Sequence, residues 1–248
     1  MRILVFSDTH LTDNFEEKRY KFLKKIIENS DQVIINGDFW DGYVTDFDKF
    51  TKSEWSNLFS LLKSKKTTYL FGNHDKPEFS DRRTSLFSTE QQQSVSIKTR
   101  VDNLIIEHGD KYLPFIDAKL SRKNIPKSFA RHSLDYESFL IRNFGTTLIK
   151  NLYQKYNNAI KEKSAPHLKN KDVLVCGHTH LLEIDLKAKF INSGLINYGL
   201  GQYLLIEGDK ITDKEEWYDI PAIEGMLDPA LYMTHVKHLN LETISDDK

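Results

Sequence analysis

The stretch that decides the fold opens the chain: RILVFSDTH at positions 2–10 is a short apolar run that ends in a polar loop. QVIINGD at positions 32–38 repeats this pattern. Between them, residues 16–29 carry apolar side chains at a helical spacing. The sequence therefore predicts a strand at 2–6, a helix at 16–29 and a second strand at 32–36, an order that implies parallel strand pairing.

Further elements are expected along the chain. A second helix is predicted within residues 46–62, and a third strand is predicted at 67–71. Later short strands follow one another closely, which favours a second, antiparallel or mixed sheet. These strands are predicted at 94–99, 104–107, 173–176, 182–186, 188–191, 203–207 and around Ile211. The fold class is therefore expected to be α/β.

Length and composition set the domain organisation. The 248 residues fit one domain, which we expect at 1–220, with a helix-prone insertion at about 112–170 (the helical cap) and a tail without strand pattern at 221–248. A hydrophobic content of 39% with 15 Phe and 11 Tyr argues against disorder. The single cysteine, Cys176, excludes an internal disulfide, and no apolar run reaches the roughly 20 residues of a membrane span. A cytoplasmic location is expected, since no signal-peptide pattern precedes the first strand.

Positive charge is concentrated in the helical cap. Residues 111–171 carry a net charge of +9, against −10 for the rest of the chain. One interpretation is a solvated helical surface, and the other is a surface that attracts an anionic ligand or a membrane. On the second interpretation Arg122, Lys123 and Arg131 are candidate substrate-binding residues.

Metal-capable side chains stand directly after the predicted strands. A single loop histidine is usually an ordinary surface residue, but ligands of α/β sheets bind outside the carboxyl ends of strands, so five such clusters in register indicate one shared site. Their carboxylates, imidazoles and amide suit divalent ions such as Mn, Fe or Zn, and their number exceeds the needs of one ion. The candidate ligands are Asp8, His10, Asp38, Asn73, His108, His178 and His180.

These clusters resemble the motifs of the calcineurin-like metallophosphoesterases, namely Asp-Xaa-His, Gly-Asp, Gly-Asn-His-Asp, a lone His and Gly-His-Xaa-His. All five occur here in that order, and the resemblance runs from about residue 3 to residue 207. It implies a four-layer α/β/β/α sandwich with two divalent ions, for which we expect Mn, with Fe or Zn as alternatives. It also implies hydrolysis of a phosphoester by a metal-bridging hydroxide.

The resemblance further implies a role for each residue. Asp8, His10 and His180 would bind the first ion, Asn73, His108 and His178 would bind the second, and Asp38 would bridge them. His74 would contact the phosphate and assist the leaving group, and Asp75 would orient His74.

The substrate is open at this stage. The layout most resembles the UDP-2,3-diacylglucosamine hydrolases of lipid A synthesis, because Gly37-Asp38-Phe39-Trp40-Asp41 looks like their second motif and His108-Gly109-Asp110 precedes a helical insertion. Those enzymes typically carry Arg where this chain has His74, so another phosphodiesterase or phosphatase is an equal alternative. The expected partner is an anionic phosphoester, with peripheral membrane contact through the helical cap as a further expectation.

Two other functional classes are kept as alternatives. A metal-dependent nuclease would use the basic helical cap on a phosphate backbone, and its DNA affinity would fall strongly with salt. A catalytically inactive scaffold would keep the fold but lose ligands, and this chain lacks none of them.

Overall fold

A computed structural model gives the structure of residues 1–115, 125–220 and 238–240, without the side chains at 127, 129–131, 133 and 238–240. Four α-helices are described: α1 (Glu17–Glu28), α2 (Phe47–Lys52), α3 (Phe59–Ser64) and α4 (Lys127–Ser164). The strands of the first half are β1 (Arg2–Phe6), β2 (Gln32–Asn36), β3 (Thr68–Leu70), β4 (Glu90–Gln92), β5 (Ser94–Lys98) and β6 (Asn103–Glu107). Those of the second half are β7 (Asp172–Cys176), β8 (Glu183–Asp185), β9 (Phe190–Asn192), β10 (Ile196–Asn197), β11 (Leu200–Glu207), β12 (Lys210–Trp217) and β13 (His238–Asn240). Short 3₁₀ helices lie at Glu54–Leu58, Pro77–Phe79, Arg82–Leu86 and Ala165–His167.

The strands form two sheets. The first has the order β13-β12-β11-β1-β2-β3-β4, with β10 paired to β11. Its strands β1 to β4 are parallel, as the sequence predicts for β1 to β3. The second sheet has the order β5-β6-β7-β9-β8, in which β6, β7 and β9 are parallel and the outer strands antiparallel. The predicted second sheet is thus a mixed one.

The two sheets pack face to face between helices. Buried Val5 and Ile34 of the first sheet meet Ile106 and Val175 of the second in one apolar cluster. Alternate residues of the same strands point outward because successive strand side chains face opposite sides of a sheet. The outward residues of the first sheet pack on α1, which buries Phe22, Leu23, Ile26 and Ile27 along one face. Those of the second sheet, including Leu174 and Phe190, pack on Ile160 of α4. This order of layers confirms the predicted four-layer α/β/β/α sandwich.

Several elements differ from the sequence prediction. The helix expected at 46–62 is broken into α2, a 3₁₀ helix and α3, because Ser53 takes an extended conformation (φ −74°, ψ 170°) and buried Trp55 enters the core just after it. Strand β4 was not predicted, because its three residues are polar and exposed. Strand β13 lies in the tail for which no strand pattern was expected, and it pairs with β12.

The helical cap contains the long helix α4. Its backbone departs from helical geometry at Gly145 (φ 70°, ψ −173°), which divides it into two helical halves. In the described part of the chain, no helix has both the length and the apolar character needed to cross a bilayer.

Candidate metal centre

Five loops meet at the carboxyl ends of the parallel strands. The loops after β1, β2 and β3 come from the first sheet, and those after β6 and β7 come from the second. Backbone hydrogen bonds continue past the strand ends, since the amides of Thr9 and His10 both donate to the Asp38 carbonyl at 3.0 Å. The Gly177 amide donates to the His108 carbonyl at 3.0 Å in the same way. The crevice between the sheets is therefore framed by backbone that is fixed by both sheets.

The backbone at this crevice is strained. Five non-glycine residues there have positive φ values, Asp8 (53°), His10 (44°), Asp38 (53°), His178 (70°) and His180 (58°). Such a conformation costs on the order of 1 kcal/mol or more per residue and persists at functional sites when the surroundings impose it. All five are candidate ligands, so the strain is concentrated where the sequence predicts the metal centre.

A first group of ligand atoms is formed by Asp8, His10 and His180. The Nε2 atoms of His10 and His180 lie 3.1 Å apart, and His180 Nε2 lies 3.4 Å from Asp8 Oδ1. The other face of the Asp8 carboxylate accepts the His178 amide at 3.0 Å through Oδ2. The three side chains thus point their free lone pairs at one another, an arrangement that a cation between them would stabilise.

A second group is formed by Asp38, His108 and His178. His108 Nε2 lies 3.2 Å from Asp38 Oδ2 and 3.1 Å from Asn73 Oδ1. Asp38 Oδ2 also lies 3.8 Å from Nε2 of His10 in the first group. Asp38 therefore stands between the two groups, where the resemblance places the bridging ligand.

Three of the four histidines in the two groups have an acceptor on their outer nitrogen. Because backbone carbonyls only accept hydrogen bonds, His108 donates from Nδ1 to Asn36 O at 2.9 Å and His178 donates from Nε2 to Leu113 O at 2.8 Å. His180 Nδ1 lies 2.7 Å from Glu137 Oε1. The fourth, His10, has Nδ1 3.4 Å from Asp41 Oδ2 without a hydrogen bond to it. Metal-bound histidines characteristically donate their second nitrogen to such acceptors, which leaves the inner nitrogen free to coordinate. The donor set therefore fits divalent ions in both groups.

The buried carboxylates and imidazoles of the two groups shift one another's pKa values, so a cation that binds histidines with a raised pKa must displace their protons. Burial disfavours the charged form of Asp38, yet the imidazole of His108, together with those of His74 and His10, holds the pKa of this carboxyl well below its usual value. Burial and the neighbouring charge on His108 lower the pKa of His178 to about 4, so its imidazole is neutral near pH 7. Burial opposes the charged form of His180, but Glu137 and Asp8 more than offset it and raise the pKa of His180.

His74 differs from the ligands in its exposure. Its side chain is 25% exposed, against 18% for His180 and 1% for His10 and His108, so His74 is accessible to a bound substrate. Its Nδ1 lies 3.1 Å from Asp41 Oδ2, and its ring packs edge-on against that of His10 with 4.5 Å between centroids. His74 therefore lies beside the first ligand group, and the Asp41 carboxylate contacts its Nδ1.

The carboxylate on His74 Nδ1 is that of Asp41, whereas the resemblance led us to expect Asp75 in the orienting role. Both oxygens of Asp75 accept from backbone amides instead, those of Asp38 (3.1 Å), Gly72 (2.7 Å) and Phe39 (2.7 Å). The reason is that Asp75 turns inward under the loops, where burial and the charge of Asp38 raise its pKa to about 7. Asp75 therefore holds together the loops that follow β2 and β3.

Two glycines are required by the closeness of the ligands. A Cβ at Gly72 would overlap the Asp38 carboxylate, and a Cβ at Gly177 would overlap Ser7 and the Asp8 carboxylate. Glycine at these positions lets backbone approach the ligand oxygens directly.

The candidate substrate-binding residues of the helical cap are not placed by the structure. Arg122 and Lys123 lie outside the described residues, and Arg131 belongs to α4 with its side chain outside the description. Other basic residues of the helical cap are engaged with the core, as Lys161 pairs with Glu183 at 2.7 Å and Asp185 at 2.8 Å. Part of the basic charge therefore joins the helical cap to the second sheet.

Sequence reasoning missed Asp41 and Glu137 as site residues. Asp41 could have been found from its position three residues after Asp38 in the same loop. Glu137 offered a weaker signal, as one of few acidic residues in a basic segment. Its contact with His180 depends on packing between residues 43 positions apart.

A cleft of about 990 Å³ opens beside His10. It lies between the loop that leads into α1, the first half of α4 and the turn at Tyr198. Among the described residues that line the cleft, five are acidic and three are basic. The acidic ones are Asp13, Glu16, Glu17, Asp135 and Asp219, and the basic ones are Lys18, Arg19 and Arg142. Lys18 and Arg142 both pair with Asp219. The cleft is therefore polar and on balance acidic.

A family model described as calcineurin-like phosphoesterase matches residues 1–182, which contain all seven candidate ligands and His74. No curated relative matches the chain. Similar solved structures include the phosphoesterase Yfce from E. coli (14% identity, TM-score 0.47, covering 86% of this chain and 91% of that one). They also include Vps29 from Cryptosporidium parvum (12%, 0.48, 96% and 97%) and Zn-complexed Vps29 from Entamoeba histolytica (15%, 0.45, 97% and 99%).

Proposed function

This chain belongs to the calcineurin-like phosphoesterase family, and we propose that it hydrolyses a phosphoester at a centre of two divalent ions. The observation that supports the proposal is the pair of neighbouring ligand groups, with Asp38 Oδ2 3.2 Å from His108 Nε2 in the second and 3.8 Å from His10 Nε2 in the first. Asp8, His10 and His180 would hold one ion, and Asn73, His108 and His178 the other. Mn is the proposed metal, with Fe and Zn as alternatives, because the donors are oxygens and imidazole nitrogens.

The crevice needs cations before it can accept a phosphate. Three buried carboxylates, those of Asp8, Asp38 and Asp41, lie around it and would repel an anionic substrate. Two bound divalent ions supply the Lewis acidity that polarises a phosphoryl oxygen and activates water near neutral pH. The ligand side chains hold this charge in a fixed place, because the strained loops leave them little freedom.

His74 is the proposed general acid. It is exposed to the substrate and lies beside the first ligand group, and the Asp41 carboxylate accepts from its Nδ1. This hydrogen bond orients the imidazole, and in its imidazolium form Nε2 can give a proton to the departing oxygen.

The substrate we favour is a phosphomonoester or phosphodiester with a polar, uncharged or cationic leaving group. The cleft beside His10 supports this choice, since its described lining is on balance acidic and offers few apolar side chains. A nucleic acid backbone or an acyl-chain diphosphate would meet repulsion or poor apolar contact there.

A Mn-supplemented assay tests the proposal. It compares a phosphomonoester, a phosphodiester, a UDP-linked diphosphate and single-stranded DNA, and we expect turnover of one of the first two. Asp38→Asn should lose bound metal and activity together. His74→Ala should keep metal and lose activity, whereas His167→Ala, an exposed histidine on a short 3₁₀ helix, should behave as wild type. Undiminished turnover in His74→Ala would exclude the general-acid role, and a wild type that binds none of Mn, Fe and Zn would exclude the proposed centre.

A further inference from the structure

The helix α4 reaches the loop that carries His178 and His180 at two points. Glu137 contacts His180 itself, and Asn157 donates from Nδ2 to the Leu181 carbonyl at 3.1 Å. Asn157 Oδ1 in turn accepts from Thr179. The inserted helix is therefore packed on the backbone and on a side chain of this loop.

Glu137 is the unusual member of this contact. It is a buried carboxylate, with 7% of the residue exposed, on a helix rich in basic residues. Both oxygens are engaged: Oε1 lies 2.7 Å from His180 Nδ1, and Oε2 accepts from the Tyr198 hydroxyl at 3.1 Å. A buried carboxylate is costly unless it is paired and hydrogen-bonded, so a position that merely joins two elements would be filled at lower cost by an apolar residue.

The contact with Glu137 orients the His180 ring toward the other residues of the first ligand group. With Nδ1 of His180 held by Glu137, the ring presents Nε2 at 3.4 Å from Asp8 and 3.1 Å from His10 Nε2. A rotated ring or the other tautomer would turn the N–H toward these ligands and remove one donor. A carboxylate that accepts a hydrogen bond from the outer nitrogen of a ligand histidine fixes this tautomer and makes the inner nitrogen more basic.

We propose that Glu137 is a positioning residue of the metal centre, through which the inserted helix α4 holds His180 ready to bind the first ion. This inference rests on the proposed function, since it assumes an ion bound by Asp8, His10 and His180. It assigns the helical cap a part in building the centre, in addition to lining the cleft. Because coupling between two events is reciprocal, an ion bound at the first group should also stabilise the packing of α4 on the core.

The test measures Mn binding to the full chain by calorimetric titration. Glu137→Ala should weaken one of the two Mn sites about 10- to 100-fold and leave the other unchanged, as expected for the loss of an outer partner of a metal ligand. Tyr198→Phe removes another partner of the same carboxylate and should change either site by less than about threefold. Gln154→Ala is the matched control for helix packing, because Gln154 joins α4 to Glu183 at 3.0 Å without touching a ligand. It should leave both Mn affinities unchanged.

A second measurement does not depend on the folding of any variant. In ¹⁵N spectra of the Zn-loaded wild type, His180 should carry its proton on Nδ1. Exchange of the α4 amides with solvent should also slow when the metal is added.

Each result decides the matter. Wild-type Mn affinity in Glu137→Ala, an equal loss in Gln154→Ala, or a proton on Nε2 of His180 in the Zn-loaded protein would overturn the role of Glu137 and leave the proposed function standing. A wild type that binds none of Mn, Fe and Zn would overturn both. Selective loss at one site in Glu137→Ala, with Nδ1 protonated in the wild type, would support the inference.

Discussion

Asp41→Asn is the substitution that best probes the catalytic side of the site. Asp41 is fully buried, and its Oδ1 accepts from the amides of Tyr43 at 2.9 Å and Val44 at 3.2 Å. Its Oδ2 lies 3.1 Å from His74 Nδ1 and 3.4 Å from His10 Nδ1. In the asparagine variant the oxygen can keep both loop amides, so the NH₂ group takes the place of Oδ2 and faces His74 as a second donor. The fold is retained and the acceptor of His74 is lost.

The magnitude follows from that one hydrogen bond. A hydrogen bond to a charged group contributes about 1.5–3 kcal/mol, and 1.36 kcal/mol corresponds to a tenfold change. If the bond is needed in the transition state, kcat/KM should fall roughly 10- to 150-fold. Thermal stability should fall little, because the loop amides keep their acceptor.

Two phosphodiesters that differ only in their leaving group provide the assay. If Asp41 acts through proton donation by His74, the loss should be large for an alkoxide leaving group and small for nitrophenolate, which needs no proton. In the His74→Ala background the same substitution should add almost nothing, because the two residues act as one unit. Bound metal is measured in each variant, since Asp41 also lies near His10. Equal losses for both leaving groups, or effects of the two substitutions that multiply, would refute this account of Asp41.

Three further predictions concern the metal and the stability of the fold. Removal of metal by a chelator should lower the melting temperature, because a ligand present at 1,000 times its Kd stabilises the folded state by about 4 kcal/mol. An unchanged melting curve would count against a structural contribution from the ions. Gly177→Ala should lower Mn affinity because the added Cβ overlaps the Asp8 carboxylate. The control Gly208→Ala, at a residue with φ of 63° and open space around it, should lower the free energy of unfolding by about 1 kcal/mol and leave Mn affinity unchanged. Equal Mn affinity in the two variants would contradict the overlap. Lys161→Met should destabilise the chain by about 1 kcal/mol at pH 7 in urea titrations. The side-chain hydrogen bond from Lys161 lowers the pKa of Asp185 in the folded protein. The stabilisation is therefore present above the pKa that Asp185 has in the unfolded chain, and it is lost as the pH falls through the lower pKa of the folded state. A difference in unfolding free energy between wild type and Lys161→Met that persists at pH 2 would argue against the ion pair.

Local patterns in the sequence were sufficient for the core strands. The bounds of β1 and β2 agree with prediction because each is a short apolar run between polar segments, a signal that depends on few neighbours. Strand β4 has no such signal, since its residues are polar and exposed, and only its pairing with β3 makes it a strand. The helix predicted at 46–62 failed for a related reason, because burial of Trp55 overrides the helical spacing around it.

Local sequence is sufficient to identify the ligand-type residues of the site. They stand directly after strands, and the carboxyl ends of parallel strands share one edge, so Asp8 and Asp38 come together on the first sheet and His108 and His178 on the second. The meeting of these two pairs depends on how the sheets pack. The tertiary structure alone decided what holds them. The contact of Asp41 with His74 depends on how a loop turns, and the contact of Glu137 with His180 depends on how an inserted helix packs. Glu137 is 43 residues from His180 in the chain. Local patterns along the chain do not encode contacts of that kind, because these contacts arise from the packing of whole elements against one another.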